Sequence, residues 1–116
     1  MITLKEKAKL FEEYYNSDND FLSYLRLNYE WDQSKFDVLV KLIKSVLDEY
    51  SEEPVFPKTL LHFFYLDLKL IEGIISNPLF YKSPPANFSS EQYSSYLINQ
   101  LETLKNLQRI FLGKRS

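Results

Sequence analysis

Cysteine is absent from this chain, which excludes a disulfide framework and any thiolate metal site. Glycine occurs only twice, at Gly73 and Gly113, so no glycine-rich loop can cradle a phosphate. There is one histidine, His62, so a Ser-His-Asp arrangement or a helical zinc site would have to be built around it alone. A helical metal site wants a second ligand four residues away, and His62 has Lys58 before it and Leu66 after it. Long apolar runs are missing too. The most hydrophobic stretch is broken by His62, Asp67, Lys69 and Glu72, which argues against a membrane span. The first fifteen residues, MITLKEKAKLFEEYY, lack the apolar segment of a secretory signal, so a cytoplasmic protein is expected.

What remains is an ordinary globular composition with many aromatics. Nine Tyr and nine Phe accompany Trp31, and the scarcity of glycine beside abundant Leu, Lys and Glu favours helix over sheet. A length of 116 residues is enough for one domain with one core. The net charge of −2 conceals an asymmetry. Residues 1–56 hold twelve acids against seven bases, whereas residues 57–116 hold seven bases against four acids. An acidic half is a poor surface for phosphate, so nucleic acid is not expected as a partner.

The chain is organised around residues 57–76, PKTLLHFFYLDLKLIEGIIS. Eleven of these twenty are Leu, Ile, Phe or Tyr and they cover more than one helical face, as in a helix enclosed by neighbours. Before it, Thr3 and Glu6 form a capping box for a first helix over 4–15, with Leu4, Ala8, Phe11 and Tyr15 on one side. Asp20 can cap a second helix carrying Phe21, Leu22, Leu25 and Tyr29. Asp32 or Ser34 caps a third, whose Phe36, Leu39, Val40, Ile43, Leu47 and Tyr50 keep the helical period and which ends in an acidic run before Pro54. Pro57 suits the first turn of the central helix, and Asn77-Pro78 ends it. Residues 79–89 read as a proline-containing loop whose Phe80, Tyr81 and Phe88 are pinned to the core. Ser89 with Gln92 opens a last helix with Tyr93, Leu97, Leu101, Leu104, Leu107 and Phe111 inward and Gly113 just past its end. The expectation is an all-α, single-domain bundle of four to five helices over 1–113, with a short disordered basic tail at 114–116.

No catalytic residue, metal ligand or cofactor is expected. The nearest thing to an acidic metal motif, Glu49-x-x-Glu52, straddles a helix end and has no second pair to match it. Glu12-Glu13 is the other carboxylate cluster. Asp67 is the residue at odds with its surroundings, since its helical neighbours Phe63, Phe64, Leu70 and Ile71 form the apolar side. A buried carboxylate needs a partner, a proton, or a gap between helices; a Tyr hydroxyl or a base from another helix is expected to meet it, and a ligand pocket is the alternative. His62, with Lys58, Tyr65, Lys69 and Ser76, is expected on the solvent side.

Carboxylates and aromatics collect in two stretches: Tyr29, Glu30, Trp31 and Asp32, then Asp48, Glu49, Tyr50, Glu52 and Glu53. Tyr and Trp are enriched at protein interfaces and carboxylates steer basic partners, so these residues are the expected partner surface.

Two features resemble the bacteriocin immunity proteins of Gram-positive bacteria, across the second half of the chain. A proline precedes an apolar aromatic helix (Pro57, Leu60, Leu61, Phe64, Tyr65), and Phe88-Ser89-Ser90-Glu91-Gln92 opens a final Leu-rich helix. The resemblance implies a small cytoplasmic four-helix bundle that protects a producer from its own pore-forming peptide. A more general analogy is to small acidic helical proteins that neutralise nuclease toxins. The expected function is therefore a non-enzymatic protein-binding module, most concretely an immunity or inhibitor protein that neutralises a bacterial toxin or bacteriocin. The alternative is a self-associating structural or regulatory subunit, a homo-oligomer.

Overall fold

The structure, a computed structural model, describes residues 4–115. Among them the chain is all-α with five helices. Helix α1 spans Glu6–Tyr15, α2 Phe21–Asn28 and α3 Gln33–Glu49. The central helix, α4, is continuous over 58–75 and is made of α-helix Lys58–His62, a π-helical turn Phe63–Asp67 and α-helix Leu68–Ile75. A 3-10 turn, Pro78–Tyr81, leads through a loop to α5, Ser90–Arg115.

Helix starts follow the side-chain chemistry. Asp20 accepts from the N–H of Ser23, and Asp32, rather than Ser34, accepts from that of Lys35. Ser89 and Gln92 exchange bonds reciprocally, the capping box of α5. Helix α1 is capped from a distance: the N–H groups of Lys7 and Ala8 donate to the carboxylate of Glu49, and that of Lys5 to the hydroxyl of Tyr50. Thr3, the expected cap, lies outside the described residues.

Helix α3 stops at Glu49, inside the acidic run as expected, and 50–53 are tight turns closed by Ser51 to Asp48 and Glu53 to Tyr50. Two boundaries differ from expectation. Pro57 is the cap of α4 rather than a residue of its first turn. Helix α5 runs through Gly113 to Arg115, because Gly113 keeps a helical, negative φ instead of the left-handed one that closes a helix. Lys114 and Arg115 therefore continue the helix instead of forming the expected tail, and Ser116 lies outside the described residues.

The core is aromatic. Phe11, Phe21, Phe36, Phe63, Phe64 and Phe111 are fully buried with Leu25, Ile43, Leu60, Ile71, Leu97 and Leu104. Helix α1 packs mainly on α3, while α3 and the second half of α4 pack on α5. The ring contacts of the central helix run to the first and last helices, Phe63 to Tyr15 at 6.5 Å between centroids and Phe64 to Phe111 at 4.9 Å. Phe80 is buried, and Tyr81 and Phe88 are half-buried against the core, so the proline loop is pinned down. No helix among the described residues is long and apolar enough to cross a membrane.

Candidate functional site

The two acidic-aromatic stretches lie at opposite ends of α3. Asp32 is its N-cap and Tyr50 its C-cap, and the seventeen residues between them rise about 25 Å. They are two places, with different environments.

At the C-terminal end, several residues serve the fold. Glu49 caps α1 as described, Tyr50 is buried beside Phe56 with its hydroxyl on the Lys5 N–H, and Glu53 forms an ion pair with Lys5. Asp48 and Glu52 are exposed. The carboxylates here oppose the dipole of α3, but Glu49 supports that of α1.

At the N-terminal end, Tyr29, Glu30 and Trp31 open onto a cleft of about 530 Å³, walled further by Asn28, Leu79, Phe80, Lys82, Ser83, Pro85 and Tyr93. Tyr29 ends α2 in the left-handed region, φ 53° and ψ 41°, the only residue with positive φ among those described. That conformation costs a non-glycine residue about 1–2 kcal/mol. One part of its ring packs on Phe80, centroids 5.0 Å apart, yet 41% of the residue remains exposed. Glu30 is exposed and accepts a 3.2 Å bond from the Tyr24 hydroxyl. Trp31 is braced by Phe21 and Phe36, each 4.8 Å away, and its indole N–H donates to Gln33 Oε1. Gln33 also accepts from Tyr96 at 2.7 Å and donates to Gln100 at 3.0 Å, fixing the start of α3 to α5. Tyr93 is nearly buried; burial, then the neighbouring phenols of Tyr81 and Tyr96 and the charge of Glu30, keeps its own phenol above the ordinary range and thus neutral. Leu79, at the lip, is 70% exposed.

A third place was only half visible in the sequence. Asp67 is 3% exposed, and the hydroxyl of Tyr15 donates to its Oδ2. Arg26 Nη2 and His62 Nε2 each stand 3.8 Å from its Oδ1. Lys58, His62, Tyr65, Lys69 and Ser76 are all exposed. His62 has no acidic residue four positions away, yet it meets Asp67 five positions on. The π turn widens the helix, Leu68 N–H reaching back five residues to Phe63, so residue i+5 takes the place usually held by i+4. Inside that turn the carbonyl of Phe64 accepts from the Gln108 side chain.

Among the described residues no group of three or more His, Cys, Asp and Glu side chains is placed to hold a metal ion. Comparison with protein-family models, curated proteins and solved structures found no match.

Proposed function

We propose that this chain is a protein-binding module acting without catalysis, most concretely an immunity or inhibitor protein that neutralises a bacterial toxin or bacteriocin. The observation that carries the reading is Tyr29. A half-exposed aromatic residue, held in the left-handed region where α2 ends and set over an aromatic cleft with an apolar lip, supports a recognition surface. Glycine or asparagine would close α2 at lower cost. The acid excess of residues 1–56 supports a basic partner, because complementary charge steers encounter.

The recognition residues are Tyr29, Glu30 and Trp31, with Asp32 orienting them as the cap of α3. Asp48, Glu49, Tyr50, Glu52 and Glu53 act in support from the far end, Glu49 and Tyr50 through the fold. The test is to express each gene adjacent to this one in a host, with and without this chain. A neighbour toxic alone, tolerated in its presence and co-purifying with it, is the expected result. Toxicity unaffected by the chain and no complex with any neighbour would remove the reading.

A second reading, self-association, is favoured by Ile98, Ile110 and Leu112, which are 56%, 50% and 41% exposed on α5. Light scattering behind a sizing column decides it; a clean monomer excludes it.

A further inference from the structure

We infer that the cleft at Tyr29 receives an arginine side chain of the protein partner. This deepens the protein-binding reading and rests on it. Two aromatic residues offer partly exposed surface there, Tyr29 and Trp31, and Glu30 lies between them in the chain. A guanidinium is flat, weakly hydrated and rich in donors. It can stack on a ring while donating to a carboxylate, whereas an ammonium gives up more hydration for less contact. Both rings are pre-positioned: Tyr29 by its fixed backbone and Phe80, Trp31 by Phe21, Phe36 and the bond to Gln33. Glu30 is steadied by Tyr24, whose hydroxyl occupies one side of the carboxylate and leaves its remaining acceptor capacity for a guest. The charge of Glu30 is the main cause that raises the Tyr24 phenol, with a lesser part from Asp32, whereas the Tyr93 phenol is raised chiefly by burial and least by Glu30.

Lys82 is the adverse feature. It lines the same cleft, with one positive charge on an exposed, flexible stem. Its charge limits the guest to a single cation and should weaken binding until the stem swings outward. A carboxylate or phosphate guest would have Lys82 in its favour but would face Glu30 and the electron-rich ring faces. The fixed elements of the cleft, two braced rings and a held carboxylate, therefore select the cation. Leu79 on the lip then suits an apolar residue flanking the arginine.

Trp31 is the only tryptophan, so its fluorescence reports on the cleft directly. The probes are N-acetyl-arginine amide, the neutral isostere N-acetyl-citrulline amide, and N-acetyl-lysine amide, titrated into the whole chain. Amide chemical shifts of residues 29–32 are followed in parallel. Saturable quenching with shifts at those residues is expected for the arginine probe, with citrulline and lysine weaker by about fivefold or more. Glu30→Gln should weaken the arginine probe by about fivefold, and Lys82→Ala should tighten it, both effects fading at high salt. Equal responses to arginine and citrulline, no saturable response to arginine, or an unchanged Glu30→Gln titration would each overturn the assignment. The two readings fail separately. A toxin partner that docks on the cleft with the arginine arm negative leaves the module standing without its arginine, while a positive arginine arm with no neutralised neighbour does the reverse.

Discussion

His62 and Asp67 stand five residues apart in sequence and 3.8 Å apart in space, on one side of the same helix. Five residues turn an α-helix through about 140° beyond a full revolution, which would set the pair on different sides. The π turn at Phe63–Asp67 removes most of that angle and brings His62, Arg26 and Tyr15 around one buried carboxylate. Helices α1, α2 and α4 are joined through Asp67.

That junction makes Asp67 the position most sensitive to change. Asp67→Ala should destabilise by about 1–3 kcal/mol, since the half-buried Tyr15 hydroxyl loses its acceptor and Arg26 loses a charge partner. Asp67→Asn, which retains an acceptor, should lose less. Urea denaturation of the two variants ranks them, and equal stability of Asp67→Ala and the native chain would show that the junction contributes nothing.

Alkaline pH should weaken the fold through two of its half-buried phenols. The phenol of Tyr14 is pushed up from 10.0 to about 12, chiefly by burial, and that of Tyr15 is raised by burial and then by its bond to Asp67. Both folded values exceed the unfolded one. Their contribution is thus complete below pH 10 and declines as pH rises above it, that of Tyr14 being lost as pH passes through about 12, because the unfolded chain releases those protons first. Denaturation midpoints should fall on going from about pH 9 to about pH 11, and Tyr14→Phe should flatten part of that decline. The same variant should cost about 1–2 kcal/mol at neutral pH, as the Tyr14 hydroxyl donates to Lys35 C=O at 2.8 Å and accepts from Phe21 N–H at 3.0 Å.

Glu49 and Glu52 should separate cleanly. Glu49→Ala strips the first turn of α1 of its acceptor and should cost about 0.5–2 kcal/mol, the usual range for losing a helix cap. Glu52 is exposed, and Glu52→Ala should stay within about 0.5 kcal/mol of the native chain. Thermal melts of the pair test this, and the reverse order would mean that the distant cap is not made in solution.

Tyr29→Asn should divide stability from recognition. Asparagine tolerates the left-handed region better, which offsets the lost packing on Phe80, so a net change under about 1 kcal/mol is expected. Binding of the partner should nevertheless fall at least about tenfold, as for an aromatic interface anchor. A variant that binds as the native chain does would take Tyr29 out of the interface.

Helix number, the inward residues and the caps at Asp20 and Ser89 were legible because periodicity and capping are local: they depend on residues three or four apart. The burial of Asp67 was legible for the same reason, from the apolar residues around it. The π turn was not, because reading a helix at a fixed 3.6-residue period assumes the register that the turn breaks, and the bond from Gln108 to Phe64 comes from another helix. Nor could composition separate the two acidic-aromatic stretches. Both mix carboxylates with Tyr or Trp, and only the packing of α1 on α3 brings Glu49 onto its N–H groups and directs Tyr50 inward. The sequence alone determined an all-helical chain, its core and an acidic first half, all consequences of nearest neighbours along a helix. Tertiary structure decided that Glu49 caps a helix other than its own, that Asp67 joins three helices and that Glu30 stands at an open aromatic cleft, because those roles depend on residues far apart in the chain meeting in space.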